Sequence, residues 1–413
     1  MPASSVDVDL AKVDLSNLDY FTDGPPYELF RRMRQEAPVH WNEPEGDDTG
    51  WWNITRFEDI KRVSRDHETF SNERGGFLIQ DEPGMPVDIQ RAIMLGQDPP
   101  NHTKLRGIVQ HVFSPRVVAE REPQIRRIVN QLIDDVIEKG ECDFVDEIAV
   151  ELPLIVIADM LGVPYEDRRK LFDWTNEISH AVAIVNPEPA LAALGEVGQY
   201  AAQLVAERRA NPKDDLVTRL IQAEVDGERL DDLQVALSFG FLMFAGNDTT
   251  RNTASGAMRA LIEHPDQRQK LIDDPSLIPD AVEEMLRWVS AVVHFRRTVT
   301  RDAEIAGQPI AEGEKVVIWY ASGNRDESVF ERADTFDVTR TDFHHQAFGG
   351  GGRHFCLGNQ LARLELRVLF EELLKRIPDM ELAGEPKRLL TNFTNELTSL
   401  PVSFTPRRRG DRA

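Results

Sequence analysis

The sequence predicts a mainly α fold in a single domain spanning residues 1–413, and three observations carry that expectation. From Ser114 onward apolar residues recur at helical spacing in long stretches. One run, Asp232 to about His264, lasts about 30 residues before Pro265 stops it; at 1.5 Å per residue it spans about 45 Å, enough to cross a domain. Strand-like pieces are short and fall outside these helices, and no internal repeat or low-complexity segment divides the chain.

Taken in order, residues 1–25 are acidic and irregular, and PPYELFRRMRQEAPVHW predicts a helix ending before Pro38. Val39–Trp41, the turn EPEGDD and Gly50–Ile54 have the composition of a hairpin, closed by a helix around Phe57–Arg65. Residues 72–97 mix Gly and Pro with apolar side chains, which suits a mobile lid over a pocket better than a plain surface loop. Ser114-Pro115 supplies an N-cap and a first-turn residue. Helices follow in REPQIRRIVNQLIDDVIEKG, in VDEIAVELPLIVIADMLG and as a pair between about 166 and 209. After the long helix, DDPSLIPDAVEEMLRW forms another, with Asp280 and Glu283 in the capping relation. Strands are expected at Ala303–Ile305 and Lys315–Tyr320, then a long loop from Ala321 to Gly352 and a last helix after Cys356.

Composition narrows the function classes. A formal charge of −23 with no long basic run excludes nucleic acid as a default partner, and the terminal RRRGDR reads as a solvated tail. The opening MPASSVDVDLAKVDL lacks a signal-peptide core, which points to the cytoplasm. The most apolar run, Leu233–Gly246, falls short of the about 20 residues a membrane span needs. Cys142 and Cys356 are too few and too far apart for a zinc site or a disulfide framework. Cys142 lies among carboxylates that raise a thiol pKa, so it reads as inert.

Cys356 is different. It sits in AFGGGGRHFCLGNQLARLELRVLFEELL, a glycine-rich approach, one Cys and an amphipathic helix. Glycines let the backbone lie against a flat ligand, and the following helix N-terminus favours an anion. A phosphate loop would need GK[ST] where the chain has GGRHF; a plain buried Cys at a helix start is the other reading of this loop taken alone.

At Cys356-Leu357-Gly358 the chain resembles the cytochromes P450, whose haem-binding signature ends Cys-x-Gly, and the resemblance covers residues from about 20 to 405. It implies haem b (iron protoporphyrin IX) with Cys356 as the iron ligand. It also implies a β-rich lobe (about 26–72 plus 295–345) against a helical lobe, with haem between the long helix and the Cys loop. In most members the signature Phe stands seven residues before the Cys; Phe348 stands eight before it, which resembles a subset of bacterial members that includes several acting on sterol side chains and terpenoids.

Other motifs follow the same order as in the family. AGNDTT, Ala245–Thr250, holds poor helix-interior residues that compete for backbone hydrogen bonds and can open a turn. By resemblance Asp248 gates protons and Thr249 hydrogen-bonds the dioxygen being activated. Glu284-Met285-Leu286-Arg287 is an E-x-x-R pair, structural in the family and joined there by a later Arg; Thr335 stands where that Arg often lies, leaving Arg340 as a candidate. His102, Arg106, Arg297 and His354 are the expected donors to the haem carboxylates, and Phe348, Gly349, Ala245 and Gly358 border the cofactor. His344-His345 reads as solvated.

The pocket implied is apolar: Phe241, Leu242 and Ala245 on the long helix, Val292, Val293 and Phe295 after the E-x-x-R helix, Leu397 and Thr398 near the C-terminus, and Phe77, Leu78 and Met94 in the lid. The resemblance thus implies a monooxygenase that hydroxylates a hydrophobic small molecule, a terpenoid, sterol or similar lipid, with dioxygen. The chain has no flavin or iron–sulfur segment, so electrons are expected from a ferredoxin and its reductase, docked by Lys104, Arg106, Arg116, Arg353 and Arg363. A peroxide-driven haem-thiolate oxidase and a non-catalytic haem sensor are the alternatives.

Overall fold

The computed structural model describes residues 8–43, 49–80, 85–183, 186–225 and 227–410. The long helix runs Asp232–Glu263, and its ends follow from local chemistry. Asp231 accepts from the Gln234 backbone N–H while Gln234 Oε1 accepts from that of Asp231, a reciprocal cap; Pro265 opens the next helix. Helices Glu151–Leu161, Arg168–Ala183, Pro187–Ala210 and Ile278–Val289 surround it and share one large apolar core with it. Glu151–Leu161 ends at Gly162, whose φ of +78° only a glycine adopts without strain, and a Cβ there would collide with the Asp215 carboxylate.

The β-rich part is a five-stranded sheet ordered Val39–Asn42, Trp51–Ile54, Lys315–Trp319, His294–Val299, Phe70–Ser71. Lys315–Trp319, buried along its length, runs parallel to Trp51–Ile54 and antiparallel to His294–Val299. The strand His294–Val299 was hidden in sequence by its two arginines. Arg296 turns its guanidinium to the Ile79 and Gln80 carbonyls, and Arg297 turns to the cavity described below. A three-stranded sheet, Glu381–Leu382, Pro401–Ser403 and Glu141–Asp143, lies in the portion assigned to helices.

Two capping expectations need correction. Ser114 precedes Pro115 in extended conformation but makes no side-chain cap bond. Asp280 lies inside the first turn of Ile278–Val289, not before it, because Pro275–Leu277 is already a short 3-10 turn leading into the helix.

The lid residues are tied down on both sides of 81–84, which fall outside the described residues. Buried Gln90 accepts from the Phe77 and Leu78 N–H groups at 2.8 and 3.2 Å and donates to the Met85 carbonyl at 2.7 Å.

Candidate active site

Cys356 precedes the helix Asn359–Arg376, for which Gly358 is the N-cap residue. Its N–H donates to the Phe348 carbonyl at 2.9 Å, folding the glycine loop back on itself, and Gly349 takes φ +94° at the bend. The other glycines have a reason that differs from the one read in sequence. A Cβ on Gly350 would stand 2.5 Å from Ser64 Oγ, and one on Gly352 2.6 Å from the Ser64 carbonyl oxygen. These glycines let the loop press against the helix Phe57–Arg65, not against a ligand.

Protein encloses Cys356, and the surface it keeps accessible borders an internal cavity. Burial raises its thiol pKa, while the Gly358 N–H and the Arg106 and Arg363 guanidinium groups favour the thiolate. A coordinated metal ion would complete the deprotonation.

The long helix forms the facing wall, with Phe241, Leu242, Ala245, Gly246, Thr249 and Thr253 on the cavity. The expected open turn is absent. The helix is continuous even though Thr249 and Thr253 donate their hydroxyls to the carbonyls of Ala245 (3.2 Å) and Thr249 (2.8 Å), acceptors that the helix backbone also uses. Asp248 faces away from the cavity; its Oδ2 accepts from Ser179 Oγ at 2.6 Å and Oδ1 lies 3.0 Å from Arg251 Nη2. Arg251 also donates to Glu396 at 2.8 Å.

His102, Arg106, Arg297, His354 and Tyr320 meet at one side of the same cavity. The two histidine rings lie 4.3 Å apart, with His102 Nδ1 and His354 Nε2 buried and without partners. Burial, then Arg106, lowers His102 to about 4; burial, then Arg297, lowers His354 to about 2. Orphaned ring nitrogens beside two arginines form a donor set that lacks its acceptors, and paired carboxylates supply them. A flat macrocycle with two carboxylates and a central iron facing Cys356 fits these residues.

Val292, Phe295 and Met94 join the long-helix residues on the apolar part of the wall, and Phe348, Gly349 and Gly358 border it near the thiol. Phe77, Leu78, Val293, Leu397 and Thr398 are not among the lining residues. Phe77 packs edge-on behind Phe295 at 5.8 Å, and Val293 is buried in the cluster around Trp51 and Trp319. Leu397 is buried in the core, whereas Thr398 is exposed.

Glu284 and Arg287 are buried and doubly bonded at 2.7 and 2.8 Å; Arg340 Nε reaches Glu284 at 3.0 Å as the third partner. The solvated reading of the histidine pair fails for His345. That side chain is 2% exposed, 3.0 Å from Glu283, and aligns it with Arg363, which binds the same carboxylate at 2.6 Å; His344 is exposed.

Sequence reasoning missed Tyr320, Glu365, Arg251 and Glu396. Glu365 had a signal: it interrupts the buried stripe Leu361, Leu364, Val368 at helical spacing. It lines the cavity, and burial pushes its carboxyl up to about 8.

The chain matches the family described as Cytochrome P450 over residues 22–387. It is 39% identical to a methyl-branched lipid omega-hydroxylase of Mycobacterium tuberculosis, over 97% of this chain and 96% of that protein. Identity to linalool 8-monooxygenase of Pseudomonas putida is 39%, over 96% and 100%, and to a steroid C26-monooxygenase of Rhodococcus jostii 36%, over 95% and 84%. A solved Mycobacterium marinum cytochrome P450 in complex with pseudoionone superposes with a TM-score of 0.85 at 41% identity, covering 92% of this chain and 94% of that one.

Proposed function

Because the chain belongs to the cytochrome P450 family and is a haem b monooxygenase that hydroxylates hydrophobic molecules, we propose that its substrate is a terpenoid, sterol or methyl-branched lipid and its electron donor a ferredoxin served by a reductase. The observation that carries this reading is one cavity with a lone thiol on one wall, histidine and arginine donors for carboxylates at its side and an apolar remainder. His102, Arg106, Arg297 and His354 would hold the haem carboxylates and Cys356 the iron. Bound there, haem supplies dioxygen activation, with thiolate electron density favouring O–O cleavage.

The chain's own residues set the rest. One oxygen atom enters a C–H bond and the other leaves as water, so protons must reach an apolar chamber. Thr249, whose hydroxyl borders that chamber, is the hydrogen-bonding group, and Asp248 behind it is the gate that relays them. Phe241, Leu242, Val292, Phe295 and Met94 exclude water and orient a hydrocarbon by shape.

For the ferredoxin surface, exposed Arg353 in the Cys loop and Arg116 are the better anchors among the residues predicted. Arg106 lines the cavity and Arg363 is paired with Glu283. Two unpaired cysteines suit the cytoplasm. No helix among the described residues is long and apolar enough to cross a membrane.

The test is a titration of the haem Soret band with terpenes, sterols, fatty acids and small aromatics. Spin-state shifts from the first two classes or from branched lipids are expected. Shifts from charged or strongly polar ligands alone would overturn the substrate class.

A further inference from the structure

We propose that Glu396 controls the proton gate at Asp248 by competing with it for Arg251. Glu396 is then a positioning residue that decides whether the guanidinium holds Asp248 or releases it. The inference rests on the reading of Asp248 as the gate.

Three charged side chains meet behind the long helix, each no more than 3% exposed. Arg251 Nη2 lies 3.0 Å from Asp248 Oδ1 and 2.8 Å from Glu396 Oε1. Its hydrogen bond goes to Glu396, and Asp248 Oδ1 is left with none. Asp248 is thus near its countercharge without being fastened to it. The other neighbours are neutral. Ser179 donates to Asp248 at 2.6 Å, Asn176 accepts from Arg251 at 2.7 Å, Asn252 Oδ1 lies 3.4 Å from Arg251 Nε, and Thr394 donates to Glu396 at 3.5 Å.

Two carboxylates share one guanidinium in a site closed to water and salt, so the cluster favours holding one proton. Burial raises the Glu396 carboxyl above the usual range; Arg251 opposes this and the charge of Asp248 adds to it. The charged groups facing Glu396 are Arg251 and Asp248. With Glu396 ionised, Arg251 is drawn to it and Asp248 Oδ1 is free to carry a proton. With Glu396 protonated, the guanidinium turns to Asp248 and closes the gate. Turnover therefore rises with pH through the Glu396 titration.

The experiment compares wild-type holoenzyme with Glu396→Gln, Glu396→Asp and Asp248→Asn, using the panel member that shifts the Soret band most. Glu396→Gln should lower turnover by about tenfold, part of what positioned acid–base groups contribute, flatten its pH profile and enlarge the solvent deuterium isotope effect. Glu396→Asp should restore the pH dependence with a moved midpoint. Infrared titration reads the group without turnover: besides the band of Glu365, which Glu396→Gln retains, a protonated-carboxyl band disappears from the wild type as pH rises and is missing from Glu396→Gln. Should that variant not fold, Glu396→Asp must move the midpoint of the band. A wild-type pH profile and isotope effect in Glu396→Gln, or an unmoved band in Glu396→Asp, overturns the proposal. If Asp248→Asn itself leaves turnover and the isotope effect unchanged, it is the reading of Asp248 that fails.

Discussion

Cys356 and Cys142 are both enclosed by protein, and burial lifts both thiols above their ordinary value. Around Cys356 stand the Gly358 N–H, Arg106 and Arg363, and an internal cavity. Around Cys142, on a strand held between Val402 and the core, stand Glu147 and Asp143, which push the thiol on to about 12. Burial alone therefore does not separate a ligand from an inert thiol. The sign of the neighbouring charge and access to a chamber do.

The largest effect expected from breaking this comparison is at Cys356, the proposed iron ligand. Cys356→Ala should reduce monooxygenase turnover to background and change the absorption of the reduced carbon monoxide complex, whereas Cys142→Ala should leave both as in the wild type.

A second substitution tests how firmly the ligand loop is anchored. Glu284 neutralises both Arg287 and Arg340, which also bind the carbonyls of Ala333, Thr335 and Glu331. Glu284→Ala leaves buried cations uncompensated and should cost about 3–5 kcal/mol in chemical unfolding, with loss of haem preceding loss of helix signal.

The smallest effect is at Cys142 and depends on pH. Its folded pKa is raised, so the stability tied to its protonated form is complete below the ordinary value of 9.0 and drains away as pH climbs towards about 12. In that window wild-type stability should fall faster than that of Cys142→Ala by about 1 kcal/mol per pH unit, measured by denaturant unfolding.

Helix positions and the Cys loop were legible because periodicity, proline stops and a glycine run are local signals. The long helix was bounded to within a residue by Asp232 and Pro265. The cavity donors were also legible, since their segments match a family pattern. What escaped depends on pairing across the chain. The strand His294–Val299 looks charged until the lid carbonyls that receive Arg296 are in view. His345 looks solvated until Glu283 and Arg363 close on it. Arg251 and Glu396 are separated by most of the C-terminal half and meet only when that half is folded. Leu397, Thr398 and Val293 stand off the cavity wall because which residues line it depends on how segments far apart in the chain pack together, which no local pattern carries.

The pairing of Trp52 with Val316 carries a consequence for synthesis. The hairpin Val39–Ile54 leaves the ribosome with an open edge whose partner strand, Lys315–Trp319, is translated only after the helices up to Ile278–Val289. Its backbone groups on that edge stay unpaired for most of translation, so this sheet closes late, and folding of the enzyme from denaturant should be slow and prone to edge-to-edge association.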